Sequence, residues 1–139
     1  MTKLNAAARQ LISSGALAHL VTINADGSPQ VSVVWMGLDG DDLVAGHLNP
    51  AQLKIANMRR DPRVSVSFES DRANPAGLRE HLIVHGTAEL TEGGAAELLA
   101  RLAKTYIGPD AVFPPMPNPP AGLVARITVK RVTGVGDWK

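Results

Sequence analysis

Apolar residues recur along this chain first with helical spacing and then with strand spacing. Leu4, Ala8, Leu11 and Ile12 share one face of a helix over residues 4–12, and Gly15 in the following Ser-Ser-Gly offers a stop. The β-branched runs 17–23 (LAHLVTI) and 30–36 (QVSVVWM) flank NADGSP, whose Asp26-Gly27 pair favours the positive backbone angles of a hairpin turn. Two antiparallel strands are predicted. Residues 38–42 (LDGDD) read as another turn and 43–47 (LVAGH) as a third strand that continues a meander. Asn49 is placed to cap a helix with Pro50 at its first position, running to Arg60 with Leu53, Ile55 and Met58 as its apolar side. Asp61-Pro62 ends it, because the residue before proline disfavours helical geometry.

Downstream, RVSVSFE (63–69) alternates with Val64, Val66 and Phe68 on one face, a strand signature. SDRANPAG (70–77) reads as a loop, 80–90 as a long strand bent at Gly86, and 93–108 as a helix. The proline-rich PDAVFPPMPNPP (109–120) predicts an extended segment with polyproline-like stretches, and 123–135 a last strand. Six strands with two or three flanking helices imply a mainly β, antiparallel, closed barrel.

Composition narrows this picture. A chain of 139 residues with 45% hydrophobic content supports one core, so a single domain over 1–139 is expected. A net charge of +1 lacks the basic surplus of a general nucleic-acid binder, so no nucleic-acid partner is expected. The absence of cysteine removes disulfides, thiolate metal sites and a Cys nucleophile, and it suits a reducing compartment. No apolar run approaches bilayer length and the first residues lack a signal core, so a cytoplasmic protein without membrane association is expected.

The chemistry on offer is sparse. GxxxxGK, GxGxxG after a strand and GxSxG are all missing. His81 and His85 in HLIVH sit on strand-like residues, where positions four apart lie roughly 13 Å from one another, too far to share a metal. No metal site is expected. Lys54, Arg59, Arg60 and Arg63 form a cationic cluster. Arg59 and Arg60 suit a helix C-terminus, where the dipole favours cations, but Lys54 lies in the first turns, where a cation is disfavoured unless an anion compensates it. Asn49 and Gln52 beside it complete a usable phosphate cradle. Trp35 reads as core or interface packing, and Ser32 as a residue facing water between Val31 and Val33.

The order of these parts resembles the split β-barrel family of pyridoxamine-phosphate-oxidase-like flavin and deazaflavin oxidoreductases. The resemblance is carried by LKIANMRRDPRVSVSFE (53–69), which is similar to the family's K-x-x-N-[LM]-R-R-D-P-R-V signature and includes Asn57, and by GTAEL (86–90). Within the family the chain most resembles the branch that uses the deazaflavin coenzyme F420. The resemblance implies a homodimer with two clefts at its interface, each holding a flavin-like ring. Lys54 would meet the cofactor phosphate with His47 and Gln52 nearby, Gln30, Ser32, Val33 and Val34 would line the ring, and Arg79 and His81 would come from the second copy. Gln52 stands where relatives often carry a second cation. The implied function is hydride transfer between F420 and an unsaturated small molecule, with FMN as the alternative cofactor and a non-catalytic carrier as the alternative class. Arg59, Arg60, Arg79, Lys130 and Arg131 are candidates to flank the acidic tail of F420.

Overall fold

The computed structural model describes residues 2–139. Helix α1 (Ala6–Ile12) is capped by Asn5, whose Oδ1 accepts from the Ala8 N–H at 2.9 Å, and it buries Ala8 and Ile12. Strands β1 (Ala18–Ile23) and β2 (Pro29–Val34) pair from Ala18↔Val34 to Ile23↔Pro29. Their turn closes as its Asp-Gly pair predicts, with Gly27 at φ +88°. The remaining elements are β3 (Gly37–Asp39), β4 (Asp42–His47), α2 (Leu53–Arg60), β5 (Arg63–Ala73), β6 (Arg79–Glu92), α3 (Ala95–Tyr106) and β7 (Leu123–Val135).

The strands form one antiparallel sheet in the order β2-β1-β5-β6-β7-β4-β3. This corrects the expected six-stranded closed barrel: among the described residues there are seven strands, and β2 and β3 end the sheet without a ladder between them. The extra strand, β3, lies in residues read as a turn, because Leu38 is framed by Gly37 and Asp39 and only Gly40 bends the chain into the β3–β4 hairpin. The meander is corrected too. β4 pairs with β7 and β3, not with β2, and the inner edge of β1 goes to β5.

Several boundaries move. The second strand ends at Val34 instead of Met36. β5 runs on to Ala73 through an irregularity between Glu69 and Ala73, absorbing residues read as loop. The bend expected at Gly86 is a bulge, where the β6–β7 register shifts between His85 and Gly86. A Cβ at Gly86 would meet the Thr128 carbonyl oxygen at 2.2 Å, so no other residue fits that close approach. The segment 109–120 is not extended throughout; it bends over residues 114–118.

Alternation sorts the two faces of the sheet. Leu20, Val66, Phe68, Leu82, Val84, Ile127 and Val129 point inward and are fully buried together with Ile12 and Ile55 from the helices. Each such large side chain contributes about 1.5–3 kcal/mol on burial. The opposite face is uncovered and mixed: Val31 and Val33 are 60% and 55% exposed, and Ser65 Oγ and Thr133 Oγ1 lie 3.0 and 3.1 Å from the two ring nitrogens of His85. Near the C-terminus, buried Trp138 donates its Nε1–H to the His81 carbonyl at 2.8 Å. Among the described residues, no helix is long and apolar enough to cross a membrane, and no three His, Cys, Asp or Glu side chains gather to hold a metal.

Candidate functional site

The C-terminal end of β4 and the start of α2 build the site. Gly46 lets α3 approach, since a Cβ there would lie 3.0 Å from the Ala95 carbonyl oxygen and 3.1 Å from Leu99. His47 follows, only 3% exposed. The chain then turns through residues 48–52, where the Asn49 Oδ1 accepts from the Ala51 N–H at 3.0 Å. Asn49 is therefore not the helix cap, and Pro50 is not the first helical residue. The side-chain bond of Asn49 closes a separate turn, which delays the helix to Leu53 with Gln52 as its N-cap. Gln52 makes no side-chain capping bond, so the positive end of the helix lacks one.

Lys54 sits in that first turn and is only 8% exposed. The ion pairs among the described residues involve Arg9, Arg59, Arg63 and Arg126, and none reaches Lys54. Burial holds its ammonium below the usual lysine range. Beside it, burial and then the Lys54 charge push His47 down from 6.5 to about 4, so its imidazole is neutral at physiological pH. The Nε2 of His47 is buried without a hydrogen-bond partner. A buried cation without a counter-ion, next to an orphaned imidazole nitrogen and an uncapped helix start, is an arrangement that an anionic ligand completes.

Both groups open on a cleft of about 370 Å³. Val33, Val34, His47, Asn49, Gln52 and Lys54, six of the residues singled out from the sequence, line it. The others lie elsewhere. Gln30 accepts from the Thr22 hydroxyl at 2.9 Å and donates to Ser32 Oγ at 3.1 Å, so Ser32 is bonded to its own strand. Asn57 is fully buried and works in packing: it donates to Thr22 Oγ1 at 3.0 Å and Asn24 Oδ1 at 2.9 Å, tying α2 to the first hairpin. Arg79 donates to the Ser70 carbonyl and His81 lies beside it at the start of β6, outside this cleft within one chain.

Leu17, Trp35, Leu48, Leu99 and Phe113 also line the cleft and were not singled out as ligand-facing. Trp35 does pack, as its size predicts, stacked on Tyr106 at 5.3 Å and tilted against Phe113 at 5.0 Å, and it forms a wall of the cleft at the same time. A lone phenylalanine among prolines was the available signal for Phe113. The cationic turn divides. Arg59 pairs with Glu92 at 3.4 Å, Arg60 donates to the Ile23 carbonyl and to Asn57 Oδ1, and Arg63 forms a two-pronged pair with Asp61. None of these arginines lines the cleft, and neither do Lys130 and Arg131.

An antiparallel sheet with one helix inserted between β4 and β5 sets a buried, unpaired lysine beside an apolar wall. The chain belongs to the pyridoxamine 5'-phosphate oxidase family, which it matches over residues 4–136. Among solved structures, one described as an F420 reductase is 24% identical, with 90% of this chain and 94% of that chain covered and a TM-score of 0.70. A conserved hypothetical protein from Mycobacterium tuberculosis is 23% identical over 99% of this chain and 84% of its own, with a TM-score of 0.72. A heme binding protein from Mycobacterium smegmatis is 26% identical, with a TM-score of 0.64; the match covers 92% of this chain and 52% of that one.

Proposed function

We propose that this chain is a cytoplasmic F420-dependent oxidoreductase that passes a hydride between the deazaflavin and an unsaturated small molecule. The observation that carries the reading is Lys54, buried at the start of α2 with no protein anion beside it and open to the cleft. The residues present fit a cofactor bearing a phosphate and a planar ring. Lys54 would hold the phosphate, the orphaned His47 Nε2 would gain a partner, and Val33, Val34 and Trp35 would offer the ring an apolar wall that excludes water.

A bound, reduced deazaflavin supplies the hydride, and the protein supplies position and electrostatics. Because His47 is neutral near pH 7, it serves as a hydrogen-bonding group and solvent supplies the proton. The exposed valines of the uncovered sheet face favour a homodimer, in which Arg79 and His81 of a second copy would complete the cleft. Sedimentation at micromolar concentration checks this; a monomer contradicts it.

Parallel titrations with F420 and FMN, followed by turnover with the reduced form of whichever binds, test the proposal. Tighter binding of F420 with hydride transfer to a conjugated acceptor is the expected result. Equal or tighter binding of FMN replaces F420 with FMN in this reading. The apolar lining favours one second reading, a carrier of a planar ligand, which predicts binding without turnover.

A further inference from the structure

Among the described residues that line the cleft, Lys54 is the only lysine or arginine, and no carboxylate faces it. His47 adds a buried, unpartnered nitrogen, and Gln52 a neutral amide. We infer that this cradle is built for a singly charged ligand group, a phosphodiester, and admits a doubly charged phosphate monoester only together with one added proton. The inference rests on the reading of Lys54 as the anchor of a ligand anion.

Charge balance around the buried Lys54 and His47 is the reason. A phosphodiester keeps one negative charge throughout the neutral range and balances Lys54, with neutral His47 as a hydrogen-bonding neighbour. A monoester, whose second ionisation falls at about pH 6, brings a second charge that no other residue lining the cleft within one chain neutralises. Leaving that surplus against the buried Lys54 and the apolar wall without a partner is costly, so a proton is taken up, either on His47 Nε2 or on a phosphate oxygen. His47 is the one titratable residue beside Lys54 in the cleft lining. β7 sets Leu123 opposite His47, α3 brings Ala95 and Leu99 against its neighbour Gly46, and α2 contributes Lys54, the one charged group that acts on it. Burial is the larger cause of the neutral imidazole, and an anion screening Lys54 removes the smaller one.

The test uses the full chain with methyl phosphate and dimethyl phosphate, titrated at pH 8 and pH 7 by calorimetry in two buffers of different ionisation heat. Dimethyl phosphate should bind equally at both pH values with no proton taken up. Methyl phosphate should bind roughly tenfold more tightly at pH 7 than at pH 8, the limit for one linked proton, with about one proton taken up at pH 8. Equal methyl phosphate affinity at both pH values without proton uptake overturns the inference. If both phosphates behave as stated while F420 and FMN fail to bind, the flavin reading falls and this inference stands. If neither phosphate binds while F420 does, this inference falls and the flavin reading stands on ring contacts.

Discussion

At its N-terminal end α2 holds Lys54, buried, without a counter-ion and against the helix dipole; at its C-terminal end, and just past it, Arg59, Arg60 and Arg63 are exposed and each is satisfied by the protein itself. The dipole favours the second group and opposes the first. Four helical residues, 55–58, separate a cation the fold has left open from one it has already used. A basic residue points to a ligand only where burial and the lack of a partner make its charge costly alone.

The largest test of this contrast is pH. The folded value of His47, about 4, lies below its ordinary 6.5, so as the pH falls the unfolded chain takes up the proton first. The contribution is complete above pH 6.5 and is lost as the pH falls towards 4, on the order of 3 kcal/mol. Urea melts at pH 7, 5.5 and 4.5 should show this decline, and His47→Gln should flatten it. An identical slope in that variant would take His47 out of the buried cradle.

Next comes Lys54→Ala, which should weaken binding of a phosphate-bearing cofactor by roughly 1.5–3 kcal/mol, the range of a charge-assisted hydrogen bond. The variant should melt no lower than the parent, since it removes a buried charge without a partner. Unchanged affinity would erase the distinction between the two helix ends. Arg60→Ala should cost about 1 kcal/mol of stability by leaving the Ile23 carbonyl and Asn57 Oδ1 without their donor, with cofactor affinity unchanged. The smallest effect belongs to Arg59→Ala, within about 0.5 kcal/mol in stability and none in binding, because its pair with Glu92 is exposed.

Much of the sheet was legible because its strands alternate: Val64, Val66 and Phe68 announce an inward face wherever the strand lies. Which strand lies beside which was not legible. β4 finds its partner in β7, whose residues Leu123–Ile127 lie some eighty positions further on, and no local pattern encodes that pairing. β3 stayed hidden because three residues, the first a glycine and the next after them another, carry no period. In the site, Lys54 stood out through its conflict with the helix dipole, a local property. Leu99 and Phe113 come from α3 and the proline-rich segment, and only the folded packing of α3 on Gly46 and of Phe113 on Trp35 brings them to the same cleft. Asn57 was the reverse case: a signature residue whose amide nitrogen ties the helix to the hairpin at Thr22 and Asn24 while its oxygen accepts from Arg60 of the same helix.

The chain has two tryptophans, and the fold gives them different optical surroundings. Trp138 is sealed in the core with its indole N–H spent on a carbonyl, while Trp35 stands in the cleft wall between two other rings. Trp138→Phe would leave a single emitter located at the cleft. Any planar ligand absorbing in the near ultraviolet would quench that emitter by energy transfer on arrival, so occupancy of the cleft can be followed by the fluorescence of the protein itself, with no label attached.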